Sequence, residues 1–247
     1  MAIEIAKKEL ANILKCDIDD FLNPVNKVIS ENKTRAIRMV SFGSSTICNV
    51  NKGLYRWAEE FYSDLPSFRC FDNVQLDTLN SELKSYGHRI ASVGEYFIPD
   101  MKRIRRFTSK FKIKTYYNDQ IEELHKLDGF KMALSYGSPE SDQIAVVAYD
   151  DGKIVAIAAC SNDFENMYQI GVDVLEEYRN KGIAKHIVSE LTYEILNLGK
   201  LPFVGASIGN IASKKLAHEC GFVHAWVELY SDTISNTNKY LKQKYHI

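Results

Sequence analysis

Six consecutive residues, from Arg179 to Ala184, have the types and spacing expected of a phosphate-binding turn. Gly182 allows the backbone to approach a ligand closely, and the small Ala184 keeps the first turn of a following helix slim. The first N–H groups of a helix have no acceptor within the helix and lie at the positive end of its dipole, so they attract anions. Arg179 and Lys181 add formal positive charge. The pattern predicts a pyrophosphate site built mainly from backbone.

Two strands and two helices are predicted to position this turn. Residues 169–174 form a short run rich in β-branched residues, which is typical of a strand. Residues 183–198 repeat apolar side chains at three- and four-residue spacing, which predicts a helix, and Gly199 follows where a left-handed residue would end it. Residues 202–207 predict a second strand and residues 210–220 a second helix. A strand, a helix and a second strand in this order form a right-handed parallel crossover.

The motif Arg-x-x-Gly-x-Ala between a strand and a helix resembles the acyl-CoA motif of the GNAT superfamily, the general-control-related N-acetyltransferases. A second motif of that superfamily is matched at five positions in and just after the second predicted helix: Asn210, Ser213, Leu216, Gly221 and Phe222. The alternative is an ordinary βαβ unit whose Gly and Arg only form a turn. Two motifs in the correct order favour the resemblance, which covers about residues 118–230. The whole chain is similar to a two-part bacterial GNAT family.

The resemblance implies an α/β (α+β) fold, in which residues 118–247 form a GNAT domain with a mixed sheet and splayed parallel strands. Residues 118–127 predict a helix, and Asp150-Asp151-Gly152 predicts a hairpin turn. Residues 1–117 predict an N-terminal α/β subdomain, either on the acceptor side or as a divergent GNAT-like half. Its expected helices cover residues 2–16, 17–30, 52–62 and 74–86. Its expected strands lie on both sides of Gly43, after Pro66 and over 88–98. The tail after Ser231 is compatible with a strand or a helix.

The resemblance also implies transfer of an acetyl group from acetyl-CoA, as cosubstrate, to a primary amine, for which we expect a small molecule. The N–H groups of Val172 and Val174 are expected to bind pantetheine where the parallel strands splay. The full set of expected cofactor-binding residues is Val172, Val174, Arg179, Asn180, Lys181, Gly182, Ile183, Ala184 and Asn210.

Proton transfer needs further groups. A lysine-like amine has a pKa of about 10.4, so a carboxylate or a chain of waters must remove its proton before attack. The candidate carboxylates are Asp163, Glu165 and Asp173, each of which is also compatible with a solvated acid. Asp173 alternates with Val172 and Val174, so it either faces the substrate or pairs with a neighbour. Gln169 and Ser207 are candidates for substrate contact. Many family members carry Tyr where this chain has Ala217, so Tyr168 or Ser207 is a candidate acid for the leaving thiolate.

Composition limits the compartment and the cofactors. The chain has 247 residues, a net charge of −1 and five scattered cysteines. Near-zero net charge gives no global field toward nucleic acid or membrane. Unpaired cysteines without metal-ligand spacing indicate free thiols in a reducing compartment and no metal site. The sequence shows no signal peptide and no apolar stretch long enough to span a membrane, so a cytoplasmic location is expected.

The most basic stretch, residues 102–114, leaves three interpretations open: a solvated strand or linker, a nucleic-acid patch, and a contact with the 3′-phosphate of CoA. Nucleic acid is the less expected partner, and a homodimer is left open. Two rival functions remain at this point. One is a non-catalytic acyl-CoA sensor, and the other is an acetyltransferase associated with protein or nucleic acid.

Overall fold

The computed structural model describes residues 2–134 and 141–245. The strands are β1 (Lys27–Ile29), β2 (Ile37–Ser41), β3 (Thr46–Val50), β4 (His88–Pro99), β5 (Lys112–Tyr117), β6 (Asp142–Asp150), β7 (Lys153–Ser161), β8 (Met167–Val174), β9 (Leu201–Ser207) and β10 (Phe222–Thr233). The α-helices are α1 (Ala2–Leu14), α2 (Tyr55–Tyr62), α3 (Asn73–Ser85), α4 (Ile183–Asn197), α5 (Ile211–Glu219) and α6 (Ile234–Tyr245). Short 3-10 helices cover Ile18–Leu22, Ser67–Arg69, Asn118–Lys126 and Glu176–Tyr178.

The chain forms two compact units. The motif unit, named for the turn at 179–184, contains residues 97–224 together with the start of the chain up to Glu9. The flanking unit contains residues 10–96 and the chain from Ala225 onward. None of the helices among the described residues is long and apolar enough to cross a membrane.

The sheet of the motif unit is mixed. Antiparallel pairs join β5 to β6, β6 to β7 and β7 to β8, whereas β8 and β9 are parallel. The parallel pair is connected through α4, as the crossover rule requires. The β6–β7 turn has Asp151 at φ 44° and Gly152 at φ 83°, the left-handed pair that suits a two-residue hairpin.

Each face of this sheet is covered by a different apolar cluster. On one face, α4 and α5 bury Ile187, Leu191 and Ala217 against alternate residues of β6, β7 and β8. On the other face, the 3-10 helix Asn118–Lys126 and the segment 130–134 pack on the intervening strand residues, including Ile157 and Ala159. The alternation of side chains along each strand therefore assigns one set of residues to the helix face and the other set to the face of segment 130–134.

The flanking unit has its own sheet and core. The strand β1 pairs in parallel with β3, which pairs antiparallel with β2, and β2 pairs with Val227–Tyr230 of β10. Helices α2 and α3 cover a core that contains Tyr62, Leu79 and Leu229. The predicted strands on both sides of Gly43 are confirmed as β2 and β3, and the tail after Ser231 continues β10 before it forms α6.

The α/β fold class with a mixed sheet is confirmed, and two local predictions are wrong. Residues 17–30, predicted as a helix, form a 3-10 turn followed by β1, because part of this segment pairs in parallel with β3. The expected strand after Pro66 is a 3-10 turn, Ser67–Arg69. The predicted helix at 118–127 is confirmed as the 3-10 helix Asn118–Lys126, in which Ile121 and Leu124 are buried.

The predicted domain boundary between residues 117 and 118 places β5 in the N-terminal part. In the structure β5 pairs with β6 over its whole length, from Lys112 opposite Tyr149 to Tyr117 opposite Ile144, so it belongs to the motif unit. Residues 97–111, which precede β5, also belong to that unit. The division of roles between the two parts of the chain stays a prediction.

Gly221, just after α5, lies close to another backbone segment, and this contact can be tested by measuring stability. Gly221 has φ 89°, and a Cβ there would lie 2.7 Å from the backbone of Arg103 and Ile104. We expect Gly221→Ala to lower the free energy of unfolding by about 2–4 kcal/mol through left-handed strain plus this clash. Gly199→Ala is the matched control, because Gly199 has φ 71° and no atom in the described part of the chain lies within 4 Å of its Cβ position. It should cost only about 1 kcal/mol. Urea unfolding measures both, and equal losses would contradict the close approach.

Candidate functional site

The turn at 179–184 joins β8 to α4 and leaves the start of that helix uncapped. Asn180 and Gly182 adopt left-handed conformations, with φ 61° and 78°. The Gly182 carbonyl accepts the first helical hydrogen bond, from His186 N at 3.2 Å. Because Gly182 is the N-cap residue and has no side chain, the N–H groups of residues 183–185 have no capping side chain. An anion at this position would supply the missing acceptor.

The turn presents two positively charged side chains, Arg179 and Lys181. Arg179, Asn180 and Lys181 are all exposed. The Arg179 Nε donates to the Val174 carbonyl at 3.3 Å, which ties the turn to the end of β8. The Lys181 ammonium lies 4.7 Å from the centre of the Tyr178 ring. A Cβ placed on Gly182 would meet no other atom of the described residues within 4 Å, so these residues leave room above the helix start.

The parallel strands β8 and β9 separate partway along their length. Their ladder pairs Met167, Tyr168 and Gln169 with Leu201, Pro202 and Phe203. Beyond these pairs β8 continues to Val174 and β9 to Ser207, with no further pairing between the two strands over these described residues. The separation opens toward the carboxyl ends of both strands, which is where α/β proteins bind their ligands.

Backbone N–H groups of β8 face this opening. Leu175 N, just after the strand, donates to Val155 O on β7 at 3.0 Å. N–H directions alternate along a regular strand, and the β7–β8 register is continuous from Gln169 to Val174. Asp173 N therefore also points toward β7, whereas the N–H groups of Val172 and Val174 point toward the separation from β9.

Asp173 holds a backbone turn against β8. Its Oδ2 accepts hydrogen bonds from Met132 N at 2.6 Å and from Ala133 N at 2.8 Å. Two residues earlier on the same face, Gly171 provides the space for this turn, because a Cβ there would lie 2.3 Å from the Met132 carbonyl oxygen. Burial raises the pKa of Asp173 above its usual value, while the two N–H donors and the charge of Arg179 oppose the rise.

The other candidate residues are distributed over several places. Gln169 lies on the face of Gly171 and Asp173, whereas Tyr168 packs beside the cluster on the helix face. Asp163 and Glu165 are exposed in the connection from β7 to β8, where Asp163 accepts a bond from Ser161 Oγ at 3.1 Å. The structure therefore groups Gln169 with Asp173 and leaves Tyr168 on the opposite face.

Two candidates lie at the start of α5 and have different surroundings. Asn210 is the N-cap residue of this helix, and its side-chain oxygen accepts from Ser213 N at 3.1 Å. Ser207, at the end of β9, is exposed, and its carbonyl accepts from Asn210 N at 2.9 Å. Asn210 thus has a structural role that the motif alone did not reveal, and a role in binding cofactor stays a prediction.

Side chains that could act as an acid or a nucleophile on the helix face are restricted. Ala217, where many family members carry Tyr, is 1% exposed and belongs to the apolar cluster. His218 is turned to the surface, with its ring 5.3 Å from that of Phe97. Burial raises the pKa of both Cys160 and Cys220 to about 12, so these thiols stay protonated at neutral pH. Both cysteines belong to the apolar core.

Sequence reasoning missed the turn at 130–134 and its docking site on β8. A glycine inside a strand often marks a close approach of another backbone, and Gly171 lies between Gln169 and Asp173 on the same face. That signal was present in the sequence. The residues that use it, Met132 and Ala133, are about forty positions away along the chain and carry no pattern that points to Gly171.

A family model described as GNAT acetyltransferase matches residues 95–226, more than half of the 247 residues. The chain belongs to the GNAT acetyltransferase family. Acetyl-CoA is the cosubstrate that this membership assigns, and the acyltransferases are the corresponding enzyme class. No curated protein matches the chain.

Several solved structures of GNAT proteins are similar to this chain. A GNAT-family protein of Novosphingobium aromaticivorans is 17% identical, with a TM-score of 0.47, and the match covers 59% of this chain and 66% of that one. A GCN5-related N-acetyltransferase-like protein of Streptococcus suis is 19% identical, with a TM-score of 0.47 and coverages of 64% and 68%. The protein yncA of Salmonella typhimurium, solved with its cofactor acetyl-CoA, is 19% identical, with a TM-score of 0.32 and coverages of 37% and 64%. This chain thus spans about two thirds of these GNAT proteins, and its family assignment rests on the family model.

The role of Asp173 can be tested through its pH dependence. Its pKa is raised in the folded protein, so the wild type loses stability relative to Asp173→Asn as pH rises from about 4 through the raised pKa. The amide keeps one acceptor oxygen without the buried charge. Asp173→Ala removes the acceptor of two N–H groups and should cost about 1–3 kcal/mol. Urea unfolding of the three proteins between pH 4 and pH 7 measures this. A gain in wild-type stability over the Asn variant with rising pH would contradict the assigned direction.

Proposed function

We propose that this GNAT protein is an acetyl-CoA-dependent N-acetyltransferase whose acceptor is a primary amine on a small molecule. The observation that carries the proposal is a pair of backbone features at the same end of β8. One is the uncapped start of α4, and the other is the separation of β8 from β9 with two N–H groups directed into it. Together they fit an extended ligand that has an anionic group at one end and a polar, amide-containing arm.

The residues of this chain would divide the binding of acetyl-CoA as follows. The N–H groups at the start of α4, with Arg179 and Lys181, would hold the pyrophosphate. The N–H groups of Val172 and Val174 would bond the pantetheine arm and align the thioester along β8. The Arg179 bond to the Val174 carbonyl supports this arrangement, because it fixes the turn relative to the strand end. Positioning of this kind supplies a large part of the rate in a transfer between two bound groups.

Proton removal from the amine is assigned to the exposed acids or to water. The thioester supplies the activated acetyl group, and a thiol with a pKa near 8.5 is a fair leaving group without an enzyme acid. Asp173 is engaged by two backbone N–H groups, which favours a structural role over that of a base. Asp163 and Glu165 are exposed before β8 and would attract a cationic amine. These assignments, and the small size of the acceptor, are proposals.

A second candidate function is a non-catalytic acyl-CoA-binding module. The buried Ala217 favours it, because a methyl group replaces the family's acidic hydroxyl in a position that solvent does not reach. Both candidates bind acetyl-CoA and differ only in turnover.

Acetyl-CoA binding is tested by thermal unfolding. At a hundredfold excess over the dissociation constant, the ligand should stabilise the protein by about 2.7 kcal/mol and raise the midpoint by roughly 5–10 °C. Gly182→Asp should lose this shift, because a carboxylate there repels the phosphates. Gly199→Asp is the control: it lies just beyond the other end of α4, is also left-handed and also has open space at its Cβ.

The control should keep the ligand-induced shift even though its own midpoint falls. Absence of a shift in the wild type at millimolar acetyl-CoA would end the transferase proposal. Equal loss of the shift in both variants would show that Gly182 has no specific role.

Turnover separates the enzyme from the binding module. Release of free CoA thiol from acetyl-CoA should rise several-fold above background with at least one member of a panel of small primary amines. Gly182→Asp should release thiol more slowly at subsaturating acetyl-CoA. Binding without amine-dependent release across the panel would favour the module.

A further inference from the structure

The basic segment, residues 105–111, runs along α4 toward the start of that helix. The Phe107 N–H donates to Ser189 Oγ at 3.0 Å, and Ser109 Oγ lies 2.9 Å from His186 Nδ1, one turn nearer the helix start. Phe111 then packs edge-on against Tyr178, with ring centres 5.9 Å apart. Tyr178 immediately precedes the turn at 179–184. Residues 107–111 therefore run backward along α4 and end beside the proposed pyrophosphate site.

The side chains of this segment are used in two ways. Arg106 forms an ion pair with Glu190 and lies over the Tyr193 ring at 4.5 Å, so its charge is neutralised on the helix. Arg105 and Lys110 are exposed, and the contacts that the structure gives them are with aromatic rings. Arg106 and the Phe107 N–H thus attach the segment to α4, whereas Arg105 and Lys110 are exposed.

Each of these two cations lies over an aromatic ring. The Arg105 guanidinium lies 5.0 Å from the Phe107 ring, which also carries the Lys185 ammonium at 5.6 Å. Lys185 is paired with Glu219 at 3.3 Å, so it is the less available charge. The Lys110 ammonium lies 5.3 Å from the Phe111 ring. Because Phe111 contacts Tyr178, whose ring carries Lys181 at 4.7 Å, Lys110 is close to the charged turn.

We propose that Lys110 and Arg105 form a subsite for the 3′-phosphate of CoA, which rests on the proposed function. In CoA this phosphate is on the ribose directly attached to the pyrophosphate. If the pyrophosphate binds at the start of α4, the 3′-phosphate must lie within one nucleotide of Gly182. Lys110 is an exposed cation beside that position. Arg105 is an exposed cation farther along α4, and its supporting ring, Phe107, also carries Lys185 of the first helical turn.

The surroundings favour a single phosphate monoester over a nucleic acid. Acidic residues lie around Lys110 and Arg105. They are Glu190 on α4, Glu219 on α5, and Glu177 beside the turn, which is paired with Lys153 at 3.2 Å. A long polyanion would pass these carboxylates, whereas a small phosphate ester avoids them. The net charge of −1 also gives the chain no overall attraction for polyanions.

The test compares CoA with 3′-dephospho-CoA by titration calorimetry. We expect the wild type to bind CoA roughly tenfold more tightly, since charge-assisted hydrogen bonds are strong but solvent screens an exposed site. This preference should shrink as salt is raised. Lys110→Ala should reduce it severalfold, and Lys110→Ala with Arg105→Ala should bring it close to one. Affinity for 3′-dephospho-CoA should change little in either variant.

Lys114→Ala is the matched control. It removes the same charge from the same basic stretch, but Lys114 lies on β5 opposite Val147, with its ammonium over the Tyr116 ring at 4.4 Å. It should keep the wild-type preference. Equal losses in Lys114→Ala and Lys110→Ala would overturn the subsite, because they indicate a diffuse charge effect.

Two other outcomes would also overturn the subsite. Equal wild-type affinity for CoA and 3′-dephospho-CoA removes the 3′-phosphate contact and leaves the proposed function standing. Salt-dependent binding of a short DNA duplex that Lys110→Ala abolishes, with the CoA preference unchanged, would assign the patch to nucleic acid. Failure of the wild type to bind either cofactor overturns both proposals, and the thermal-unfolding test detects that case independently.

Discussion

The early end of the ladder between β8 and β9 is the constraint on which the motif unit depends. Backbone N–H and C=O groups in a sheet interior are normally paired, because a buried unpaired group costs free energy. Past Gln169 and Phe203 the two strands stop pairing, although both continue. The groups released there can be satisfied by water or by a ligand that has its own donors and acceptors. A pantetheine arm, with two amides, is a ligand of this kind.

The start of α4 is a second place where backbone N–H groups are left for a ligand. Gly182 ends the turn in a left-handed conformation and begins α4 without a capping side chain. A Ser or Asp in its place would satisfy one of the free N–H groups internally and compete with an external anion. The basic segment 105–111 then adds charge beside this position without covering it, because its anchors, Ser189 and His186, lie farther along the helix.

How far the sequence predicts this structure depends on how local each signal is. The crossover, the hairpin at Asp151-Gly152 and the helix ends at Gly199 and Gly221 were predictable, because each is set by side-chain period and left-handed glycines over a few residues. The parallel strand β1 was not, because its pairing with β3 is decided by residues about twenty positions away. The docking of Met132 and Ala133 on β8 is more distant still. Candidate acids could be named, but their partners could not.

The period of two along β8 explains why its residues have such different roles. Val172 and Val174 place their side chains in the helix-face cluster and their N–H groups toward β9. Gly171 and Asp173, between them, face the opposite side and hold the turn at 132–133. One strand thus carries both the N–H groups that we propose for cofactor binding and the anchor of a neighbouring turn, and a one-residue shift of register would misplace both. For this reason Asp173, although it is the most conspicuous acid on the strand, is better explained by the turn it holds than by proton transfer.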